Sequence, residues 1–425
     1  MYAVNMDKKT NRYSWLICFS GLLMHFCCLG MVNMAFSVYL PRLRETLQLS
    51  NTTVSLIITL RVVVSVFVMM AALRIYKKIT LRIGVTFSLL SLALGMFLLS
   101  LAGSVVLCLA ASFFMGIAFG LGATLPVSLL VTAWFEDRRG TALAVCTCGS
   151  GLCTMLVPPI TTRLMEAYSM RTALLTEIVF ILLAAAIVFL IVRDTPDRLQ
   201  LAPYRFGSKE GSEKAAPEDA LESEPQAKSK KKTVSSISPL RLRLIFLATF
   251  AVGFGCNSFI SFLSLHFISV GYTPMAAASA MSSLGLLMIF SKLLSGFLSD
   301  RFGTTVSNYL MLGSMIAGAI LSVLADGVSL PYMYLSAMFA GFGMPIGSLG
   351  IALWINDLTP ADTYAKNIQK NQVIFTLGTL TGAFVPGVLA DITGTYATPF
   401  GLFTLLFVLA MIIIQSMYRL QLSDR

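Results

Sequence analysis

Charge is what this sequence has least of. Asp, Glu, Lys and Arg make up 12% of its 425 residues, against roughly 25% in soluble domains. Histidine occurs only twice and tryptophan three times. No GxxxxGK[ST] phosphate loop is present, so ATP is not the expected energy source. No Ser/His/Asp or metal-ligand constellation stands out; neither an enzyme, a cofactor nor a metal site is expected. The long apolar runs lack the alternation of period two that marks strands, and in lipid that leaves helices. The eight cysteines, Cys18, Cys27, Cys28, Cys108, Cys146, Cys148, Cys153 and Cys256, all fall in apolar runs. Cys146 and Cys148 point about 200° apart on a helix and lack chelating spacing, so they read as small packing residues.

What is abundant is apolar surface. Hydrophobic residues are 56% of the chain and the mean hydropathy is +0.81, which excludes a soluble globular protein, a disordered one and a nucleic-acid binder. Twelve apolar stretches lie near 14–40, 52–73, 82–102, 104–131, 141–163, 172–192, 241–269, 275–298, 305–325, 328–352, 368–390 and 397–418. Each can cross a hydrocarbon core of about 30 Å as a helix. The first is too long for a cleaved signal peptide and has no small-residue cleavage site. The net charge of +11 is unevenly placed: with both ends cytoplasmic, 25 of the 31 Lys and Arg fall in inner segments and four in outer loops. That ratio fits the positive-inside rule. A multi-pass protein of a bacterial-type plasma membrane with cytoplasmic termini is expected.

One segment breaks the apolar pattern. Residues 194–240 are rich in Lys, Glu, Ser, Pro and Ala, the composition of a flexible linker. It separates an N-terminal half, 1–193, from a C-terminal half, 241–425. The halves echo each other. Arg82-Ile-Gly84 answers Arg301-Phe-Gly303, Trp134 to Asp137 answers Trp354 to Asp357, and Phe119-Gly-Leu-Gly122 answers Phe342-Gly-Met-Pro345. Three matches in register predict a duplicated six-helix unit, an architecture typical of carriers, with the Gly/Pro-interrupted fourth and tenth helices near the substrate path or packed closely through small residues.

These residues support a resemblance. Gly296-Phe-Leu-Ser-Asp300-Arg301-Phe-Gly303 resembles the loop motif of the major facilitator superfamily; the first half keeps Arg82 and Gly84 but has Leu81 in place of the acid. Within that superfamily the chain resembles the monocarboxylate-transporter and oxalate–formate-exchanger group, in Phe36 to Pro41, Trp134 to Ala142, Gly149-Ser-Gly151, Leu164 to Arg171, Asp357-Leu358 and Gly387 to Tyr396. The resemblance implies twelve helices in two pseudo-symmetric halves. It assigns conformational gating to Asp300, Arg301, Gly303, Arg82, Gly84, Asp137 and Arg138. It also implies that Lys292, where the family often has Arg, binds the substrate carboxylate. Three departures stand out: Trp15 to Cys18 replaces an acidic signature, Met288 stands where proton-coupled members place Asp, and no second cation occurs around Phe375 to Gly378.

Charge inside a bilayer is costly and usually marks a pathway or a buried partner. Lys292 lies eight residues before Asp300, about 12 Å along a helix. Its face reads Met281, Gly285, Met288, Lys292, Ser295 and Ser299, opposite Leu286, Leu287, Phe290, Leu294 and Phe297, so it is expected to face a cavity. Arg61 sits in the second span, the equivalent helix of the first half; one cation from each half can grip an anion, or Arg61 can pair structurally. Asn257, Tyr39 and Asn33 are further candidate substrate contacts, and Asn257 shares a face with Ser261 and Ser264. His25, Glu177 and His266 are candidate proton carriers; the alternative for Glu177 is an ion pair with Arg163 or Arg171, and for His25 simple helix packing. The expected function is secondary active transport of a small mono- or dicarboxylate by alternating access, driven by proton symport or anion exchange, in a monomer whose partners are its substrate and the lipid. A drug or cation exporter of the same fold and a non-transporting sensor are the alternatives.

Overall fold

Without water in the hydrocarbon core, every backbone N–H and C=O needs a partner within the chain, and helices alone provide this segment by segment. The computed structural model describes residues 2–136, 138–199, 201, 203–204, 238–360 and 363–423. These form twelve spans. The first, α1, is composite: Tyr2–Met24 is followed by a π-helical stretch His25–Ala35, a 3-10 turn Phe36–Val38 and a last segment Tyr39–Leu47. Then come α2 (Asn51–Lys78), α3 (Leu81–Ser100), α4 (Val105–Gly122 and Thr124–Trp134), α5 (Arg139–Ala167) and α6 (Met170–Ile191). The second half holds α7 (Pro239–Ser269), α8 (Pro274–Phe302), α9 (Thr304–Val323), α10 (Leu330–Gly343 and Leu349–Leu358), α11 (Tyr364–Thr393) and α12 (Ala397–Ser423). Eleven of these are apolar and long enough to cross a membrane unaided; α10 is divided by the 3-10 turn Met344–Gly347.

The interruptions fall where the Gly/Pro pattern places them. α4 breaks at Ala123, directly after Gly122, and α10 at the turn containing Pro345. The echo between halves is also structural. Trp134 and Trp354 are both fully buried, and each indole N–H finds a partner inside its own half: the Arg193 carbonyl at 2.8 Å and Asn308 Oδ1 at 2.9 Å. The irregular middle of α1 differs from the plain helix expected over 14–40. Of the predicted linker 194–240, residues 205–237 lie outside those described. Its start is packed rather than free: Tyr204 exchanges backbone bonds with Trp134 and Glu136, and its ring lies 5.3 Å from Phe135.

The cysteines lie in helix contacts. Gly21 faces Cys146 and Gly30 faces Cys153, so α1 and α5 approach through glycines and thiols, and Cys18 Sγ lies 3.5 Å from Cys146 Sγ. Small residues at such contacts let backbones come close, which substitutes for a hydrophobic effect that lipid does not provide.

The halves meet along two helix pairs, α2 with α11 and α5 with α8, and through the 3-10 turn of α1 against α7. At the bundle end that carries the loop between α1 and α2, the first pair is latched. Asp391 accepts the Asn51 N–H at 3.0 Å, the Thr52 N–H at 2.7 Å and the Thr52 hydroxyl at 2.5 Å. The Tyr396 hydroxyl donates to Asn51 Oδ1 at 2.9 Å. Ser50 caps the remaining first-turn donor, Thr53 N–H, at 3.1 Å. A carboxylate of one half thus completes the N-terminus of a helix in the other, where its charge also suits the helix dipole. Asp391→Ala leaves two first-turn N–H groups unmet and is expected to cost about 1–2 kcal/mol, read as a lower midpoint of thermal unfolding. A cysteine at the buried Ser55 position should then become more reactive toward polar thiol reagents. Unchanged stability and reactivity would mean the latch carries no energy.

Candidate functional site

Lys292 reaches the seam because two glycines let its helix come close. Gly285 of α8 lies against the Met155 N–H and the Gly151 carbonyl of α5, and Gly151 lies against Ile289. A side chain at either glycine would meet backbone or a packed residue. Of the bulky side predicted, Leu286, Phe290 and Leu294 are exposed and Leu287 is half-buried, while Met281 and Met288 on the other side are buried. Ser295, Phe297 and Ser299 lie outside the described side chains. Two turns beyond Gly285, the half-buried Lys292 crosses to the other half. Its ammonium donates to the Thr147 carbonyl at 3.2 Å and to the Ser150 hydroxyl at 2.7 Å. Ser150 in turn donates to the same Thr147 carbonyl at 3.0 Å. These acceptors on α5 are neutral, and the sequence reading did not name them; Ser150 sits in the Gly149-Ser-Gly151 stretch that carried part of the resemblance.

His25 stands close enough to Lys292 to interact electrostatically. It is buried, and neither ring nitrogen has a hydrogen-bond partner. Arg61 is tied to α1: Nη1 donates to the Val32 carbonyl within the π-helical stretch, and the guanidinium lies 5.2 Å from the Phe36 ring centre. Its Nε is buried without a partner. Arg61 thus pairs with a backbone carbonyl while its Nε stays unspent.

Glu177 does not pair with Arg163 or Arg171, both of which are exposed. Its Oε1 accepts from the Tyr39 hydroxyl and from the Thr161 hydroxyl, each at 2.6 Å. The reason is directional: Tyr39 on α1 and Thr161 on α5 point inward with Glu177, whereas the arginines sit on the outer faces of their helices. Tyr39 is fully buried in this contact. Asn33 and Asn257 are half-buried, while Ser261 and Ser264, on the same face as Asn257, are buried. His266 is held in packing: Nε2 lies 2.7 Å from the Ser322 carbonyl, and the ring stacks on Phe400 at 4.6 Å.

The loop residues divide between the halves. Arg82 donates from Nε to the Phe189 carbonyl at 2.5 Å and stacks on that phenyl ring at 3.8 Å, so it fastens α3 to α6; Gly84 packs on Tyr76. Arg301 is exposed, and Gly303 has φ +84°, a turn conformation that favours glycine. Arg138 is exposed, with φ +57°. Asp137 lies outside the described residues, as does the side chain of Asp300. Asp357, the echo of Asp137, accepts from Thr304 at 2.7 Å and Tyr418 at 3.1 Å.

Twelve helices in two matched halves, with polar side chains buried where the halves meet, are the architecture of a membrane transporter. The chain belongs to the major facilitator superfamily, whose family model matches residues 22–368. It is 24% identical to monocarboxylate transporter 13 of Bos taurus over 94% of this chain and 88% of that protein. It is 27% identical to monocarboxylate transporter 12 of Rattus norvegicus, over 44% of this chain and only 41% of that longer relative. It is also 24% identical to the multi-drug resistance efflux pump PmrA of Streptococcus pneumoniae, over 62% of this chain and 60% of the pump. Among solved structures, the nucleoside transporter NupG superposes with a TM-score of 0.69 at 13% identity, covering 96% of this chain and all of that one. A D-xylose–proton symporter gives 0.66 at 13% identity, covering 94% and 96%. A bacterial homologue of the lysosomal transporter Spinster, in an inward-facing and unoccupied conformation, gives 0.65 at 14% identity, covering 97% and 98%. The protein is an integral, multi-pass membrane transporter.

The glycine crossing generates a test. Gly285→Leu has no space at α5 and is expected to destabilise by about 1–3 kcal/mol, whereas Gly313→Leu, with nothing within 4 Å of the added carbon, should be neutral. Thermal unfolding in detergent separates them; equal effects would show that the crossing is not close-packed.

Proposed function

We propose that this chain carries a small organic anion, a mono- or dicarboxylate, with Lys292 as its binding cation. The observation that carries this reading is the placement of Lys292: an ammonium of one half donates to neutral groups of the other, at the seam that alternating access must open. A carboxylate competes directly for such a cation, since charge-assisted hydrogen bonds are about twice as strong as neutral ones. An anion that takes the ammonium from Thr147 and Ser150 removes a link between α5 and α8. It thereby favours the conformation in which the halves have rocked apart. The unspent Nε of Arg61 and the unpartnered ring of His25 supply donors from the first half. The relatives named as monocarboxylate transporters support the same substrate class. The excess of cations on the loops shared with the termini supports a cytoplasmic location for both ends, which puts the Asp391 latch outside. A second reading, export of drugs or cations, is favoured by the likeness to PmrA.

Proteoliposomes decide between them. Uptake of radiolabelled lactate or oxalate is expected in the wild type. It should fall roughly tenfold or more in Lys292→Ala and Lys292→Gln, a loss of about 1.4 kcal/mol or more, with Lys292→Arg retaining part. Full uptake by both neutral variants would overturn the site. Ethidium transport with no carboxylate transport would favour the exporter.

A further inference from the structure

Glu177 is an acid buried in the first half with no basic side chain against it among the described residues. Its neighbours come from two helices, and a third packs along its own. From α1, Tyr39 donates to Oε1 and Cys27 lies within electrostatic reach; from α5, Thr161 donates to the same oxygen and Cys153 lies within electrostatic reach. The third helix, α3, packs along α6; its one charged side chain, Arg82, is fastened to Phe189 twelve residues along α6 from Glu177, about 18 Å at 1.5 Å per residue. Both hydroxyls therefore converge on one oxygen, and the other, Oε2, is buried with no partner at all.

This asymmetry is the informative feature. A buried polar atom without a partner costs about 1–3 kcal/mol, and here that atom belongs to a carboxyl group whose other oxygen already takes both hydroxyls. A buried carboxylate with a bare oxygen carries a charge that two hydroxyl donors only partly offset. A proton on Oε2 removes that charge while the Tyr39 and Thr161 bonds to Oε1 stay in place. The position is also mechanically connected. Tyr39 begins the last segment of α1, directly after the 3-10 turn that packs on α7 of the other half. Relative motion of the halves therefore acts on the residue that holds Glu177.

We propose that Glu177 is a proton-binding site of the transport cycle, protonated on Oε2 while sealed from water and releasing that proton when rearrangement of α1 admits water. Uptake forms one O–H bond at Oε2 and consumes the charge of the carboxylate; release breaks it and passes the proton to water. The inference rests on the carrier reading and deepens it, since it assigns the coupling ion to the first half and leaves Lys292 to the substrate.

The test does not depend on knowing the substrate. Infrared difference spectra of the purified protein in lipid, recorded as a pH titration, should contain a protonated-carboxyl C=O band that is lost in Glu177→Gln. Tyr39→Phe and Thr161→Val should keep the band and change the pH at which it titrates, which a packing role would not do. Identical spectra for the wild type and Glu177→Gln overturn the proposal, as does a band indifferent to both hydroxyl deletions. A second arm uses lactate as probe in proteoliposomes. Glu177→Gln should lose accumulation driven by a pH gradient yet keep lactate–lactate exchange. If gradient-driven accumulation survives in Glu177→Gln, the proposal fails. If the wild type moves no lactate or oxalate, the carboxylate reading fails, and the infrared arm still decides Glu177.

Discussion

Charge in the hydrocarbon core has to be answered by protein, because water is not there to do it. The deep groups of this chain meet that constraint in different ways. Arg61 uses a carbonyl that the distorted middle of α1 presents. Glu177 uses two hydroxyls on a single oxygen. Lys292 uses the opposite half of the molecule. The first two are internal to the N-terminal six helices and travel with them. The third spans the seam, donating to a carbonyl and a hydroxyl of the other half.

The contacts between halves are of two kinds, and the contrast is physical. At the end carrying the α1–α2 loop, Asp391 and Tyr396 make directional bonds to the first turn of α2, a closure that is specific and breakable. In the middle, Gly151 and Gly285 bring α5 and α8 into backbone contact, where dispersion and close approach hold the helices. The glycine crossing thus lies near Gly285 and the directional contact at Asp391, with Lys292 two turns from the crossing. Within each half, the buried indoles of Trp134 and Trp354 hydrogen-bond to their own half, which keeps each set of six helices a unit.

Much of the architecture was legible in the sequence, because it follows from composition and spacing. Apolar length specifies the spans. The repeated Arg-x-Gly and Trp-x-x-Asp spacings specify the duplication, and Gly122 and Pro345 mark where α4 and α10 break. The π-helical stretch His25–Ala35 was not legible, since a change of hydrogen-bond register leaves no mark on an apolar pattern. The same holds for side-chain pairing. Nothing in the spacing joins Tyr39 or Thr161 to Glu177, which lie 138 and 16 residues away, and nearby Arg163 and Arg171 were the more obvious partners by charge alone. His266 looked like a proton carrier because it is polar in an apolar run; its stacking on Phe400 and bond to Ser322 are tertiary facts. For Lys292, depth along the helix and the small-residue face on which it sits pointed to a cavity, but not to the α5 carbonyl and hydroxyl that receive it.

Whether Lys292 exchanges its α5 partners for an anion is observed directly by nitrogen NMR of the lysine-labelled protein in lipid nanodiscs. The ammonium signal absent from a Lys292→Arg sample belongs to Lys292. On addition of lactate or oxalate, that signal should shift in a saturable manner while the other lysine signals stay in place. A Lys292 signal that does not move at saturating carboxylate, while uptake proceeds, would contradict the account.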